Sequence, residues 1–173
     1  MIKIQDSELK GISMKINIDE MEWQESTHEN FCYARKQLGL ATHAKMLGTS
    51  IFKLEPGKKA FPYHFHHANE EAILILSGEG TLRLNNKEIL VQKNDYITLP
   101  RGPEYAHQIL NTSDQALIYL CISTMIEPDI MEYPDSNKIG VMTGSAPGGE
   151  KTKASYKAFY RKTDATSYFD NEK

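Results

Sequence analysis

Between residues 47 and 125 the apolar positions fall into short runs separated by Gly, Pro, Asn or Asp. The runs cover residues 49–54, 72–76, 81–84, 87–91, 96–99, 107–110 and 116–123, and they are rich in Ile, Leu, Val, Tyr and Thr. Such residues suit a pleated, half-buried surface, and no long helical period lies between the runs. The pattern therefore predicts an antiparallel sandwich or barrel. The run at 72–76 is almost continuously hydrophobic, as expected of a strand covered on both faces. Asn85-Asn86, between two runs, suits a tight hairpin turn with positive backbone angles.

The flanks lack this regularity. Residues 1–46 read as an irregular N-terminal arm, with a short turn or helix at 31–38 ended by Gly39. Met14 opens what looks like a second start, so residues 1–13 are expected to be a loosely ordered leader. Residues 126–173 are rich in proline, glycine and charge, and 143–152 reads as a loop. Tyr156, Phe159, Tyr160, Tyr168 and Phe169 are nevertheless too many aromatics for a solvated tail. The expected organisation is an arm (1–46), a barrel (47–125) and an extension (126–173) lying across the barrel or a partner subunit, where it hides sheet edges.

Composition narrows the function. A chain of 173 residues, 40% hydrophobic and 25% charged, can bury one sizeable core. The net charge of −3 comes from interspersed charges, which gives no reason to expect nucleic acid. Cys32 and Cys121 do not make a disulfide framework, and Cys121 sits in an apolar run as a buried thiol would. No stretch has the length or character of a membrane span or secretion signal, so a cytoplasmic setting is expected.

The candidate chemistry is concentrated in one segment. His64, His66 and His67 place three of the six histidines within four positions. In a strand alternate side chains share a face, so His64 and His66 would form a chelate. A carboxylate from Glu70 or Glu71 and the distant His107 would complete a set of three imidazoles and one carboxylate, suited to a first-row divalent ion such as Zn, Mn, Fe or Ni. A polar turn would explain an isolated His-x-His equally well, and it is the patterned context on both sides that favours the metal.

With these residues in place the chain resembles the cupin superfamily. Gly57, His64, His66, Glu71 and Gly78 match its first motif, and Glu71, unlike Glu70, has the motif's distance to Gly78. Pro100, Gly102, His107 and Asn111 match the second. There are three departures: Gly57 lies one residue further from His64 than usual, Asn94 replaces the second motif's opening glycine, and Gly102 precedes His107 by a longer loop. Residues 100–111 together with 132–136 resemble a subgroup of single-domain cupins without a firmly assigned substrate, some of them labelled sugar-phosphate isomerases.

The resemblance implies an all-β, double-stranded jelly-roll barrel with an irregular arm and tail, and a metal held by His64, His66, Glu71 and His107. It also implies a small-molecule substrate or ligand and a homodimer paired through its sheets. Three functions follow: a metalloenzyme of sugar-phosphate isomerase type, a dioxygenase, or a non-catalytic module that binds a small ligand. Glu70 is the candidate general base, although neighbouring strand positions diverge. Tyr63, His67, Arg83, Arg101 and Tyr105 are candidate substrate contacts at the barrel mouth, the two arginines for a phosphate. Ile73, Ile75 and Ile109 share strand parity with the ligands and are expected to form the pocket wall.

Overall fold

The computed structural model describes residues 14–153 and 155–172. The expected leader at 1–13 lies outside the described residues. The chain forms β1 (Gln24–His28), β2 (Phe31–Gln37), α1 (Leu38–Ala41), β3 (Leu47–Leu54), β4 (Phe65–His66), β5 (Glu71–Ser77), β6 (Glu79–Leu84) and β7 (Lys87–Gln92). These are followed by β8 (Tyr96–Leu99), β9 (His107–Leu110), β10 (Leu117–Thr124), β11 (Asp129–Tyr133), β12 (Lys138–Thr143) and β13 (Tyr156–Arg161).

One sheet has the order β1-β2-β3-β10-β5-β8; the others are β13-β12-β11-β4 and β7-β6-β9. All the strand pairings are antiparallel. The two smaller sheets meet where His64 and His107 form a β-bridge. They close a jelly roll over the six-stranded sheet. Phe52, Leu54, Ile73, Ile75, Leu82, Val91, Leu99, Ile109 and Leu117 pack between them as the core.

Local chemistry explains why the predicted strands sit where they do. Asn85 and Asn86 have φ of 47° and 59°, the two left-handed residues that the β6–β7 hairpin needs. Asn94 has φ of 76°, so it adopts the backbone that a glycine would otherwise provide. At Gly78, where β5 passes into β6 with φ of 79°, a Cβ would stand 2.4 Å from the Ala116 carbonyl oxygen. Only glycine fits there.

The flanks differ from expectation. Residues 31–37 form a strand rather than a turn or helix, because tertiary packing holds Tyr33 against Phe52 and Phe61, with ring centroids 5.5 and 5.3 Å apart. Gly39 lies inside α1 rather than after it. A Cβ there would come within 2.9 Å of the Leu47 carbonyl oxygen, so glycine lets the helix lie against β3. The arm therefore supplies two strands to the large sheet. Residues 126–173 supply three strands, β11, β12 and β13, that build a sheet with β4. Tyr168 and Phe169 pack edge-to-face on each other at 4.8 Å and are strongly exposed.

Asn111 ties the barrel together from within. Its side chain is 1% exposed, donates to the Leu54 and Gln115 carbonyls at 2.8 and 2.7 Å, and accepts from the Ser113 amide and hydroxyl. Asn111→Ala would remove a donor from both carbonyls, of which Gln115's keeps the Ser113 hydroxyl at 3.0 Å, and a carbonyl left unpaired in the interior costs about 1–3 kcal/mol. We expect the variant to lose about 1–3 kcal/mol in urea unfolding with an unchanged far-ultraviolet spectrum.

Candidate metal centre and its cavity

Antiparallel pairing brings His64 and His107 together. The His64 amide donates to the His107 carbonyl at 3.1 Å, and the His107 amide donates back to the His64 carbonyl at 2.8 Å. Residues so paired carry their side chains to the same face. The two imidazole centroids are 4.7 Å apart, and His66, two residues along, lies 5.0 Å from His64. Glu71, at the start of β5, faces them from the large sheet, with Oε2 at 3.0 Å from His107 Nε2 and 4.0 Å from His66 Nε2. Ligand-type atoms of His64, His66 and Glu71 lie within 4.8 Å of one another, and His107 joins them through its hydrogen-bond contact with Glu71.

Each imidazole is oriented from behind. His64 Nδ1 donates to the Pro62 carbonyl at 2.8 Å, and His107 Nδ1 donates to the Tyr105 carbonyl at 2.9 Å. A carbonyl can only accept, so both rings carry a proton on Nδ1. The loop before His107, longer than in the motif, holds the turn Pro103–Tyr105 that presents this carbonyl. His66 Nδ1 lies 2.6 Å from Oδ2 of Asp129, a fully buried carboxylate whose other oxygen accepts from the Ala68 amide at 3.1 Å.

The electrostatics follow from burial and these contacts. Desolvation, joined by the neighbouring His107 and His66, pushes His64 down to about 3. Burial also opposes charge on His66, but the Asp129 hydrogen bond and the charges of Glu71 and Asp129 outweigh it and raise its pKa. For Glu71, burial is outweighed by the His107 hydrogen bond and the surrounding imidazoles, which hold the carboxyl down at about 2. Asp129 is lowered too, its burial outweighed by the bond to His66. Desolvation raises the thiol of Cys121, 4.0 Å from Glu71, well above its ordinary range.

The cluster opens into a cavity of about 670 Å³. Ile73 and Ile109 line it as expected, whereas Ile75 is wholly buried in the core and does not. Tyr33, Phe52, Phe61 and Tyr119 form an aromatic wall, and Tyr133 stacks on His64 with centroids 5.9 Å apart. Burial and the charge of Asp129 raise the Tyr133 hydroxyl to about 12.

The other candidate residues lie elsewhere. Glu70 is exposed, its backbone tied to Thr124, and it does not line the cavity. Arg83 pairs with Asp135 at 2.6 Å, bonds Asn86 and lies over the Tyr63 ring at 3.8 Å, while the Tyr63 hydroxyl accepts from the Asn86 amide. Neither Arg83 nor Tyr63 lines the cavity, and the exposed Arg101 and Tyr105 do not either. His67 is exposed and bonds Glu132 at 2.9 Å. The residues missed from sequence are Asp129, Tyr133 and Arg35. Each sits on an alternating strand face, Asp129-Met131-Tyr133 or Tyr33-Arg35-Gln37, inside segments read as tail and arm.

Residues 50–123 match the family model for the cupin domain. The chain carries a cupin domain. The crystal structure of a provisionally named sugar phosphate isomerase from Acidithiobacillus ferrooxidans superposes with a TM-score of 0.75 at 26% identity, covering 89% of this cupin and 96% of that chain. A cupin-superfamily protein from Silicibacter pomeroyi, named as a sugar phosphate isomerase, superposes with a TM-score of 0.73 at 22% identity, over 90% and 98% of the two chains; at that identity it speaks for the fold alone. Among curated proteins, an uncharacterized protein from Methanocaldococcus jannaschii is 38% identical over 60 residues, 35% of this chain and 46% of its own. Quercetin 2,3-dioxygenase from Bacillus subtilis is 27% identical over 94 residues, 53% of this chain and 28% of its own. The cupin thus spans under half the length of either curated relative.

Asp129→Asn tests the electrostatics of the metal-free protein. Removing the anion removes what stabilises the His66 imidazolium, so the His66 pKa falls relative to wild type when followed by NMR. A carboxyl held below its unfolded value contributes stability that is complete above that value and lost as pH falls through the folded one. The variant should therefore be less stable at neutral pH, and its unfolding free energy should fall less steeply on acidification below pH 4.

Proposed function

We propose that this cupin is a metalloenzyme that holds one divalent transition metal through His64, His66, His107 and Glu71 and isomerises a small phosphorylated sugar in the adjoining cavity. The observation that carries the metal is the gap between His107 and Glu71. With its proton committed to the Tyr105 carbonyl, His107 turns Nε2 toward a carboxylate oxygen 3.0 Å away. A neutral ring's lone pair and a carboxylate repel at that distance, so the contact calls for a cation, either a second proton on the ring or a metal ion, and with the Nδ1 sides of His64 and His66 already engaged, a metal serves all four groups at once. Three imidazoles and one carboxylate suit a first-row ion, Zn, Mn, Fe or Ni. The Asp129 carboxylate behind His66 is the kind of outer partner that fixes a ligating imidazole's orientation and raises its basicity.

A bound divalent ion would supply Lewis acidity that polarises a substrate carbonyl. The chain's own groups position the substrate and limit water: Phe52, Phe61 and Tyr119 wall the cavity, and Tyr133 covers His64. Isomerisation is favoured over oxygenation because the similarity to the protein from Acidithiobacillus ferrooxidans runs through nearly all of both chains, whereas similarity to the dioxygenase covers 28% of that protein. Glu70 has no part in this reading.

The test is elemental analysis of the untagged protein beside a His64→Ala/His107→Ala variant, followed by NMR assay of pentose and hexose phosphates in D2O. We expect near-stoichiometric metal in the wild type, none in the variant, and deuterium entering the sugar next to its carbonyl only with the wild type. No metal after incubation with each candidate ion would overturn the metal centre. Metal with oxygen uptake would favour a dioxygenase, and metal with neither reaction a ligand-binding module; both would overturn the isomerase.

A further inference from the structure

Arg83 and Arg101 leave the cavity without the cations expected from sequence, yet the cavity is not without cations. Arg35, on the inward face of β2 between Tyr33 and Gln37, lines it, as does Lys157 of β13. The Arg35 guanidinium donates from Nη2 to the Gln37 side-chain oxygen at 2.9 Å, and its buried Nε has no hydrogen-bond partner. Among the described residues no carboxylate pairs with Arg35 or Lys157. The two acids that line the cavity are committed elsewhere, Glu71 to the imidazoles and Glu150 to Lys153 at 2.6 Å.

A guanidinium that lines a cavity with no carboxylate beside it keeps its charge and most of its N–H donors for a ligand. Guanidinium N–H groups form a planar fork that matches the oxygens of phosphate or carboxylate. With an ammonium on the same cavity, the charge suits a dianion better than a single carboxylate. We propose that Arg35 is the anion anchor of this cavity and binds the phosphate of the substrate through the cavity-facing side of its guanidinium, with Lys157 contributing at longer range. This rests on the proposed function only in taking the cavity as the substrate site.

The test is isothermal titration of ribose 5-phosphate, ribonate, ribose and inorganic phosphate into wild type, Arg35→Met and Arg35→Lys, with metal content measured on the same samples. We expect the wild type to bind ribose 5-phosphate and phosphate. Arg35→Met should weaken both by about 10- to 100-fold, the loss typical of a hydrogen bond to a charged group. Arg35→Lys keeps the charge without the fork and should fall between, while ribose binding and metal content stay unchanged. Equal affinities in all three proteins, no binding of either phosphate by the wild type, or a preference for ribonate would overturn the anchor. Arg35-dependent phosphate binding in a protein that holds no metal would sustain the anchor and remove the metalloenzyme, whereas full metal with Arg35-independent binding would do the reverse.

Discussion

The site depends on one pair of backbone hydrogen bonds, those between His64 and His107. They join the sheet that contains β4 to the sheet that contains β9, so the contact that closes the barrel also sets two imidazoles side by side. In an antiparallel pair the residues opposite each other cannot slip by one position without sending both side chains to the other face. The position of the two imidazoles is thus a consequence of sheet register. His66 follows from strand parity, and Glu71 from the pairing of β5 with β10 and β8.

The same geometry divides the imidazoles electrostatically. His64 has only a carbonyl behind it and is driven toward its neutral form, whereas His66 has a carboxylate behind it and is driven toward its charged form. Carbonyl and carboxylate both orient a ring, but only the carboxylate adds charge. Asp129 therefore brings a second negative charge to the cluster from a position outside it, which lets a site with one inward carboxylate present itself to a cation as more anionic than its four side chains suggest.

Much of this was legible in the sequence, and the reason is local. The barrel strands from β3 to β10 are short apolar-rich runs, and their turns carry residues such as Asn85-Asn86 and Gly78 whose backbone angles few others tolerate. Among the strands that escaped notice, every residue of β1 is exposed, and β13 is exposed except at Ala158. Their pairing is set by neighbours already in place rather than by their own hydropathy. The substrate contacts expected from position failed for a related reason. Arg83 and Arg101 lie near the clustered histidines in sequence, but strand direction carries Arg83 to Asp135, and only tertiary structure reveals that Arg35, remote in sequence, faces the cavity.

The division of labour within the fold follows from that contrast. The motif-bearing strands supply the four clustered side chains, which any chain with the same register would hold in much the same way. The walls that face a ligand come from both inside and outside the matched domain at 50–123: Phe52, Phe61 and Tyr119 from within it, Tyr33 and Arg35 from the arm, and Met131, Tyr133, Met142, Lys157 and Phe159 from the extension. The arm and extension are integral to the two sheets rather than appended to them, which is why superposition on the Acidithiobacillus ferrooxidans structure extends over 89% of this chain. Discrimination by charge is then expected to reside in the added strands, which carry Arg35 and Lys157, while discrimination by shape is shared with the aromatic residues of the matched domain.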